Sequence, residues 1–143
     1  MTNGCIVLIE DDIDDKLFFD DAFKDLNINN PVIWFNNCHE AEEYLINTKD
    51  QPFIILCDIN LPGRTGIELK REIDKSNELK RKTVPFIFYT TSADETHILE
   101  AYTNLTVQGF FQKSSDFKEM KNDIKLIFEY WLRCLHPNSK PQK

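Results

Sequence analysis

The chain has 143 residues, 41% hydrophobic and 12% aromatic, which is enough apolar material for one globular domain and argues against disorder. Its 24 acidic and 17 basic side chains leave a net charge of −7, so we expect no general attraction to nucleic acid or anionic lipid. The four cysteines are widely spaced and no apolar run reaches the ~18 residues of a membrane span, so we expect free thiols, no membrane association and a cytoplasmic protein.

Short apolar runs alternate with amphipathic segments along the chain. The first run, from Cys5 to Ile9, is typical of a buried strand, and it ends at Glu10 and Asp11. A helix follows, and apolar residues at steps of three and four predict its buried stripe: Ile13, Leu17, Phe18, Ala22, Phe23 and Leu26. Acidic side chains in its first turn interact favourably with the helix dipole: Asp12, Asp14 and Asp15.

The third apolar run, 53–57, follows a predicted strand at 32–35 and a predicted helix at 38–46. It is rich in β-forming residues, which favours a strand buried on both faces, and it ends on Asp58. The dipeptide Pro62-Gly63 predicts a turn soon afterwards. Asp58 is therefore expected at the carboxyl end of a central strand, where open α/β sheets bind their ligands.

The second half of the chain continues the alternation. We expect a helix at 66–73, a charged connection at 74–83, a strand at 84–89, a weak helix ending near 103, a strand at 107–111 and a long helix at about 115–135. Ser115 or Asp116 is expected to cap the last helix. Five strands alternating with helices predict a doubly wound α/β domain. We expect a single domain over 1–143, with its core at about 4–135 and a polar tail at 137–143.

Four of the five predicted strands end on a polar residue that suits chemistry: Glu10 with Asp11, Asp58, Thr90 and Lys113. Parallel strands bring these ends to one edge of the sheet. If the first and third strands are neighbours, three carboxylates converge there, which requires a cation or raised pKa values. Oxygen ligands of this kind suit Mg²⁺.

This set of residues predicts a site that accepts a phosphoryl group. Asp58 would be the nucleophile that forms an aspartyl phosphate. Lys113 would pair with one phosphoryl oxygen, and the Thr90 hydroxyl would hydrogen-bond another. No glycine-rich nucleotide-binding loop is present in the sequence, so the phosphoryl donor is expected to be another molecule.

Several motifs resemble the receiver domain of two-component response regulators. They occur in the family's order and spacing between residue 5 and about 135: Ile9 to Asp12, Leu56 to Gly63, Gly66, Tyr89 to Ser92, and Gly109-Phe110 before Lys113. The resemblance implies a flavodoxin-like three-layer fold with strand order 2-1-3-4-5. It also implies a stand-alone signalling switch without an output domain, which catalyses only its own phosphorylation and dephosphorylation.

The same resemblance assigns roles to single residues. Asp58 would be phosphorylated by a histidine kinase or a phosphotransfer protein. Mg²⁺ would be held by Asp11, Asp58 and the backbone carbonyl of Asn60, with Glu10 assisting through a metal-bound water. Thr90 and Phe110 would form the switch pair, although a permanently buried core ring is the alternative for Phe110. The end of the last helix, 128–137, further resembles small receivers that work with bacteriophytochrome-type kinases.

The sequence departs from the family pattern near the site. Ser114 follows Lys113 where the family usually has proline, which leaves a trans peptide or a strained loop open. Thr91 stands where a smaller residue is usual, so access to the phosphoryl site is expected to be narrower. Asn60 and Ser92 occupy positions that tune dephosphorylation in this family.

The predicted last helix carries two apolar stripes. The first faces the sheet: Phe117, Met120, Ile124, Ile127, Phe128, Trp131 and Leu135. The second faces outward, as a partner or homodimer surface or as scattered surface residues: Leu126, Tyr130 and Cys134. Two rival functions stay open, a phosphorylation-independent interaction module and an aspartate-nucleophile phosphatase. The phosphatase is disfavoured because the segment Asp58 to Asn60 lacks its second acid.

Overall fold

The computed structural model describes residues 4–80, 84–91 and 94–135. The predicted role of Ser92 and the predicted tail at 137–143 lie outside these residues. In this part of the chain, no helix has the length and apolar character needed to cross a membrane.

Strands and helices alternate through the described residues. The strands are β1 (Ile6–Ile9), β2 (Val32–Phe35), β3 (Ile54–Cys57), β4 (Phe86–Thr90) and β5 (Gly109–Gln112). The helices are α1 (Ile13–Asp25), α2 (Cys38–Asn47), α3 (Gly66–Lys75), α4 (Asn77–Lys80), α5 (Glu95–Thr103) and α6 (Phe117–Arg133). The expected connection at 74–83 was partly wrong. α3 continues to Lys75, and the short α4 follows because Ser76 caps it and Leu79 is buried.

The strands form one parallel sheet in the order β2-β1-β3-β4-β5. This confirms the predicted doubly wound, flavodoxin-like fold. β1 and β3 are neighbours, and Ile9 at the end of β1 pairs with Cys57 at the end of β3. The residues that follow these two strands therefore emerge side by side at the carboxyl edge of the sheet.

Two hydrophobic cores cover the two faces of the sheet. Ile55 and Cys57 face the core that includes residues of α2 and α3, whereas Ile54 and Leu56 face the core that includes residues of α1 and α6. Side chains alternate between the faces of a strand, so a strand covered on both sides is apolar throughout. Cys57 is buried, as predicted.

The predicted buried stripe of α1 was partly wrong. Phe19, Ala22 and Phe23 are its buried residues. The other large apolar side chains of the predicted stripe within α1 are substantially exposed: Ile13 at 53%, Leu17 at 50% and Phe18 at 37%. Apolar residues occur on adjacent faces of this helix. The face that is buried is the one on which Phe19 contacts Tyr89 and Phe23 contacts Phe128.

α6 packs on the same side of the sheet as α1. Its buried residues belong to the first predicted stripe: Met120, Ile124, Ile127 and Phe128. Leu135 was wrongly included, because the helix ends at Arg133 and Leu135 is 96% exposed. Leu126 and Tyr130 are each 60% exposed, so these two residues of the second stripe face outward as predicted, whereas Cys134 is half-buried at the C-cap. Of the two expected N-caps, Asp116 is the one used.

A glycine is required at residue 66, at the start of α3. A Cβ there would lie 2.1 Å from the Asp58 carbonyl oxygen and 3.0 Å from Cys57 Sγ. We expect Gly66→Ala to lower the free energy of unfolding by about 2 kcal/mol or more, because backbone and core must shift to make room. Urea unfolding monitored by circular dichroism measures this loss.

Gly63→Ala is the matched control. Gly63 has a φ of +79° but no atom within 4 Å of an added Cβ. Only backbone strain should result, at a cost of about 1 kcal/mol. An equal or larger loss for Gly63→Ala would contradict the close approach of Gly66 to Asp58.

Candidate functional site: an acidic pocket closed by a lysine

Three carboxylates meet at the carboxyl edge of the sheet. Glu10 and Asp11 follow β1, and Asp58 follows β3; the Asp58 N–H donates to the Ile9 carbonyl at 3.0 Å, which aligns the two strand ends. One oxygen of each carboxylate lies within 4.8 Å of the others. Glu10 and Asp58 are buried, whereas Asp11 is exposed and opens the cluster to solvent. The expected convergence is present in the structure.

Asp58 presents its two carboxylate oxygens to different groups. Oδ1 accepts hydrogen bonds from the backbone N–H of Ile59 at 2.7 Å and, more weakly, of Asn60 at 3.4 Å. The Gly66 N–H donates to the Ile59 carbonyl at 2.9 Å and holds this loop close to the strand. Oδ2 faces Lys113 instead. The loop thus fixes the orientation of the carboxylate.

Lys113 closes the site from the end of β5. Its backbone N–H donates to the Thr90 carbonyl at 2.7 Å, and its side chain is 6% exposed. Nζ lies 2.9 Å from Asp58 Oδ2, 2.9 Å from Asp15 Oδ2, and in contact with Glu10 Oε1. A single ammonium group therefore joins β1, β3 and α1.

The contact with Asp15 was missed by the sequence analysis. Asp15 lies in the first turn of α1, where the favourable interaction with the helix dipole gave its charge a sufficient explanation. No motif in the sequence pointed to the contact, because it joins residues 98 positions apart and depends on how α1 packs beside the end of β5.

The pKa values reflect the crowding of charge. Burial raises the pKa of Glu10 to about 7, against the opposing effect of its hydrogen bond with Lys113. Burial acts to lower the pKa of Lys113, but hydrogen bonds with Asp15 and Glu10 outweigh it, so the pKa is raised and the ammonium stays charged at neutral pH. The raised pKa of Glu10 is one of the two outcomes that the converging carboxylates predicted, the other being a bound cation.

Neighbouring groups fix Glu10 in place. The indole N–H of Trp34 donates to the Glu10 carbonyl at 2.7 Å, and the Asp12 N–H donates to Glu10 Oε2 at 3.2 Å. Asp12 in turn caps α1 by accepting from the N–H groups of Asp14 and Asp15. The start of α1 is thereby tied to the acidic pocket.

The remaining predicted site residues differ in their burial and in their position along the strands. Thr90 is fully buried at the end of β4, beside Gln112 of β5. Asn60 lies exposed in the loop after Asp58. Phe110 lies inside β5, and its ring is half-buried with its centroid 5.7 Å from that of Phe88. Phe110 is thus not a fully buried core ring in this structure.

The loop after Lys113 is ordered by Ser114. None of the peptide bonds among the described residues is cis, so the Lys113-Ser114 peptide is trans. Ser114 Oγ accepts from the Asp116 N–H at 3.0 Å and lies 2.6 Å from Glu119 Oε2. A hydroxyl in place of the usual proline therefore links the lysine loop to the start of α6.

The donor set fits a hard divalent cation. Carboxylate oxygens are ligands that Mg²⁺ and Mn²⁺ favour, and Mg²⁺ commonly keeps several waters. The exposed side of Asp11 leaves room for such waters. The residues present therefore match the cation that the sequence predicted.

Comparison with known proteins identifies the family. Residues 6–125 match the model of the response regulator receiver domain, so the chain belongs to that family. It is a receiver domain of two-component signalling, as the motifs indicated.

Three relatives are similar over most of the chain. Rcp1, a response regulator of Synechocystis, is 29% identical over 91% of this chain and 90% of its own length. A probable methanogenesis regulatory protein of Methanothrix harundinacea, FilR2, is 28% identical over 89% of this chain and 83% of its own. The phosphorylated cyanobacterial phytochrome response regulator RcpA superposes with a TM-score of 0.81 at 29% identity, covering 92% of this chain and 96% of its own. Rcp1 has also been solved in a Mn²⁺-bound form.

Neutralising one cluster carboxylate should stabilise the protein without metal. We expect Asp11→Asn to raise the melting temperature by about 3 °C in chelator, because it relieves repulsion among the three acids. Millimolar Mg²⁺ should raise the melting temperature of the wild type but hardly that of Asp11→Asn, because a cation stabilises only the state that binds it. Differential scanning fluorimetry with and without Mg²⁺ measures both effects.

Asp14→Asn is the control for charge alone. Asp14 is exposed in the first turn of α1 and lies outside the cluster. It should keep the full response to Mg²⁺. The predicted cation site would be contradicted if Mg²⁺ left the melting temperature of the wild type unchanged, or if Asp11→Asn and Asp14→Asn both lost the response to Mg²⁺.

Proposed function

We propose that this protein is a response regulator that accepts a phosphoryl group on Asp58 from a histidine kinase or a phosphotransfer protein. The observation that carries the proposal is the placement of Lys113 Nζ 2.9 Å from Asp58 Oδ2, within a cluster that also contains Glu10 and Asp11. A nucleophilic carboxylate, a cation site and a fixed ammonium group are what such a transfer requires.

In the proposed reaction, a carboxylate oxygen of Asp58 attacks the phosphorus of a phosphohistidine. The P–N bond breaks, its electron pair stays on the imidazole, and an acyl phosphate forms. The backbone N–H groups of Ile59 and Asn60 orient the carboxylate, and Lys113 pairs with a phosphoryl oxygen in place of Asp58 Oδ2. Mg²⁺, held by Glu10 through water, Asp11, Asp58 and the Asn60 carbonyl, would neutralise charge on the transferred group.

Thr90 and Phe110 are proposed to carry the signal away from the site. Thr90 is buried at the end of β4 and shares its edge of the sheet with Lys113, through the hydrogen bond to its carbonyl. Phe110 is half-buried on the neighbouring strand, so its ring would become more buried by turning inward. Movement of the Thr90 hydroxyl toward the phosphoryl group would allow that turn and change the surface of α5, β5 and α6.

The donor is proposed to dock on α1. This helix begins directly after Glu10 and Asp11 of the acidic cluster, and it carries large apolar side chains that are exposed: Ile13, Leu17 and Phe18. A donor histidine has to reach Asp58, so its protein must cover this face. Similarity to the phytochrome response regulator RcpA favours a phytochrome-type kinase as the donor.

The first test uses a small donor in place of the kinase. We expect incubation with Mg²⁺ and acetyl phosphate to add one phosphoryl group to the protein, as measured by intact mass. The adduct should be lost in Asp58→Asn and kept in Asp14→Asn, and chelation of Mg²⁺ should prevent it. Tandem mass spectrometry after borohydride reduction identifies the residue that carried the phosphoryl group.

The other outcomes of this experiment decide against the proposal. No adduct on a folded protein with Mg²⁺ bound would favour the phosphorylation-independent interaction module. An adduct that persists in Asp58→Asn would place the acceptor elsewhere. Rapid turnover of phosphoesters would indicate a phosphatase.

We also propose that the outward stripe of α6 forms a homodimer surface. Leu126 and Tyr130 are each 60% exposed and lie one turn apart. The double substitution Leu126→Glu and Tyr130→Glu should leave the protein monomeric at concentrations where the wild type dimerises, because carboxylates on an apolar surface must be desolvated to associate. Sedimentation velocity, before and after phosphorylation, measures this.

Leu132→Glu is the control on the same helix. Leu132 is 58% exposed but lines a separate groove beside the loop after α1. It should leave the dimer intact. A wild type that stays monomeric in both states would exclude the homodimer.

A further inference from the structure

Asp15 reaches the acidic pocket from outside the three-carboxylate cluster. Its Oδ2 lies 2.9 Å from Lys113 Nζ, and its side chain is 30% exposed where that of Lys113 is 6% exposed. The contact joins residues 98 positions apart in the chain, so it is a tertiary contact of α1 with the end of β5. The helix dipole explains a negative charge at Asp15 but not this contact.

The ammonium group of Lys113 has one carboxylate partner for each of its N–H donors. The ammonium has three N–H groups, and the three carboxylates around it are those of Glu10, Asp58 and Asp15. Glu10 and Asp58 also belong to the group that can hold a cation, whereas Asp15 does not. A divalent cation in that group competes with Lys113 for two of its partners and repels the ammonium.

We propose that Asp15 is a positioning residue for Lys113, which holds the ammonium at the acceptor edge while a cation occupies Glu10, Asp11 and Asp58. Asp15 offsets the repulsion between the two positive charges, so the site binds its cation more tightly. It also keeps the flexible lysine side chain where the phosphoryl group arrives. This role rests on the proposed function, in which Lys113 pairs with a phosphoryl oxygen.

Asp14 is the control that distinguishes a role through Lys113 from stabilisation of the helix. It lies in the same first turn of α1 and carries the same charge, but it is exposed. Of these two aspartates, Asp15 is the one that pairs with Lys113 in the described structure. A dipole effect would be shared by the two aspartates. An effect transmitted through Lys113 would belong to Asp15 alone.

The first experiment measures cation affinity without any phosphoryl transfer. Mn²⁺ is titrated into the full chain, and free Mn²⁺ is followed by electron paramagnetic resonance. We expect Asp15→Asn to raise the Kd about 5-fold, and Asp14→Asn to raise it less than about 2-fold, because only Asp15 offsets the charge of Lys113. In a Lys113→Met background, Asp15→Asn should have no more effect than Asp14→Asn.

The second experiment measures the initial phosphorylation rate with phosphoramidate at saturating Mg²⁺. We expect Asp15→Asn to be phosphorylated about 5-fold more slowly than the wild type, and Asp14→Asn at the wild-type rate. Asp15→Glu should recover part of the lost rate, because a carboxylate again reaches the ammonium group. Thermal melts of each variant provide the measure of folding.

The outcomes separate the two proposals. Equal effects of Asp14→Asn and Asp15→Asn in both experiments, or an undiminished Asp15→Asn effect on Kd without Lys113, would overturn the role of Asp15. A wild type that forms no adduct on Asp58 would overturn the proposed function, while the Mn²⁺ titration would still decide whether Asp15 acts through Lys113.

Discussion

The ammonium group of Lys113 is the interaction on which the functional edge of this structure depends. Without it, Glu10, Asp58 and Asp15 would meet with no positive charge among them. Burying charged groups costs free energy even when they are paired, and an apolar replacement of similar shape is often more stable. The cluster is therefore poorly explained by stability. The proposed phosphoryl transfer would explain it, because that chemistry needs negative oxygens in a fixed arrangement and a cation to complete them.

Strand order explains why the closing residue is a lysine. β5 is separated from β3 by β4, and neighbouring strands lie about 4.8 Å apart, so a residue after β5 must span about 10 Å to reach Asp58. A long unbranched side chain does so by passing over the end of β4. Thr90 ends that strand, and its carbonyl accepts the Lys113 N–H. Thr90 therefore lies between acceptor and lysine as a consequence of the sheet topology.

The sequence predicted those features that a buried parallel sheet imposes. Apolar runs ending on Glu10, Asp58 and Lys113 were sufficient to place these residues at one edge, because all parallel strands end on the same side. Contacts that depend on the packing of helices were not predictable in this way. Phe19 was overlooked because α1 has apolar residues on adjacent faces, and only packing against Tyr89 selects one. The charge of Asp15 was attributed to the helix dipole alone, because its partner Lys113 is 98 positions away in the chain.

The two helices beside β5 are held to the rest of the protein by different forces. α6 buries four large side chains in the core: Met120, Ile124, Ile127 and Phe128. α5 buries only Ala101, while Leu99 and Tyr102 on it are 64% and 57% exposed.

Polar contacts with α3 provide much of the remaining attachment of α5. Arg71 pairs with Glu100 through two hydrogen bonds of 2.5 and 2.6 Å. After the helix, the Thr106 N–H and hydroxyl donate to Asp74 at 2.9 and 2.7 Å. An exposed ion pair contributes about 0–1 kcal/mol, against about 1.5–3 kcal/mol for burial of one large apolar side chain. α5 can therefore shift at much lower cost than α6, which makes it the element of this surface best able to respond to a change at Thr90.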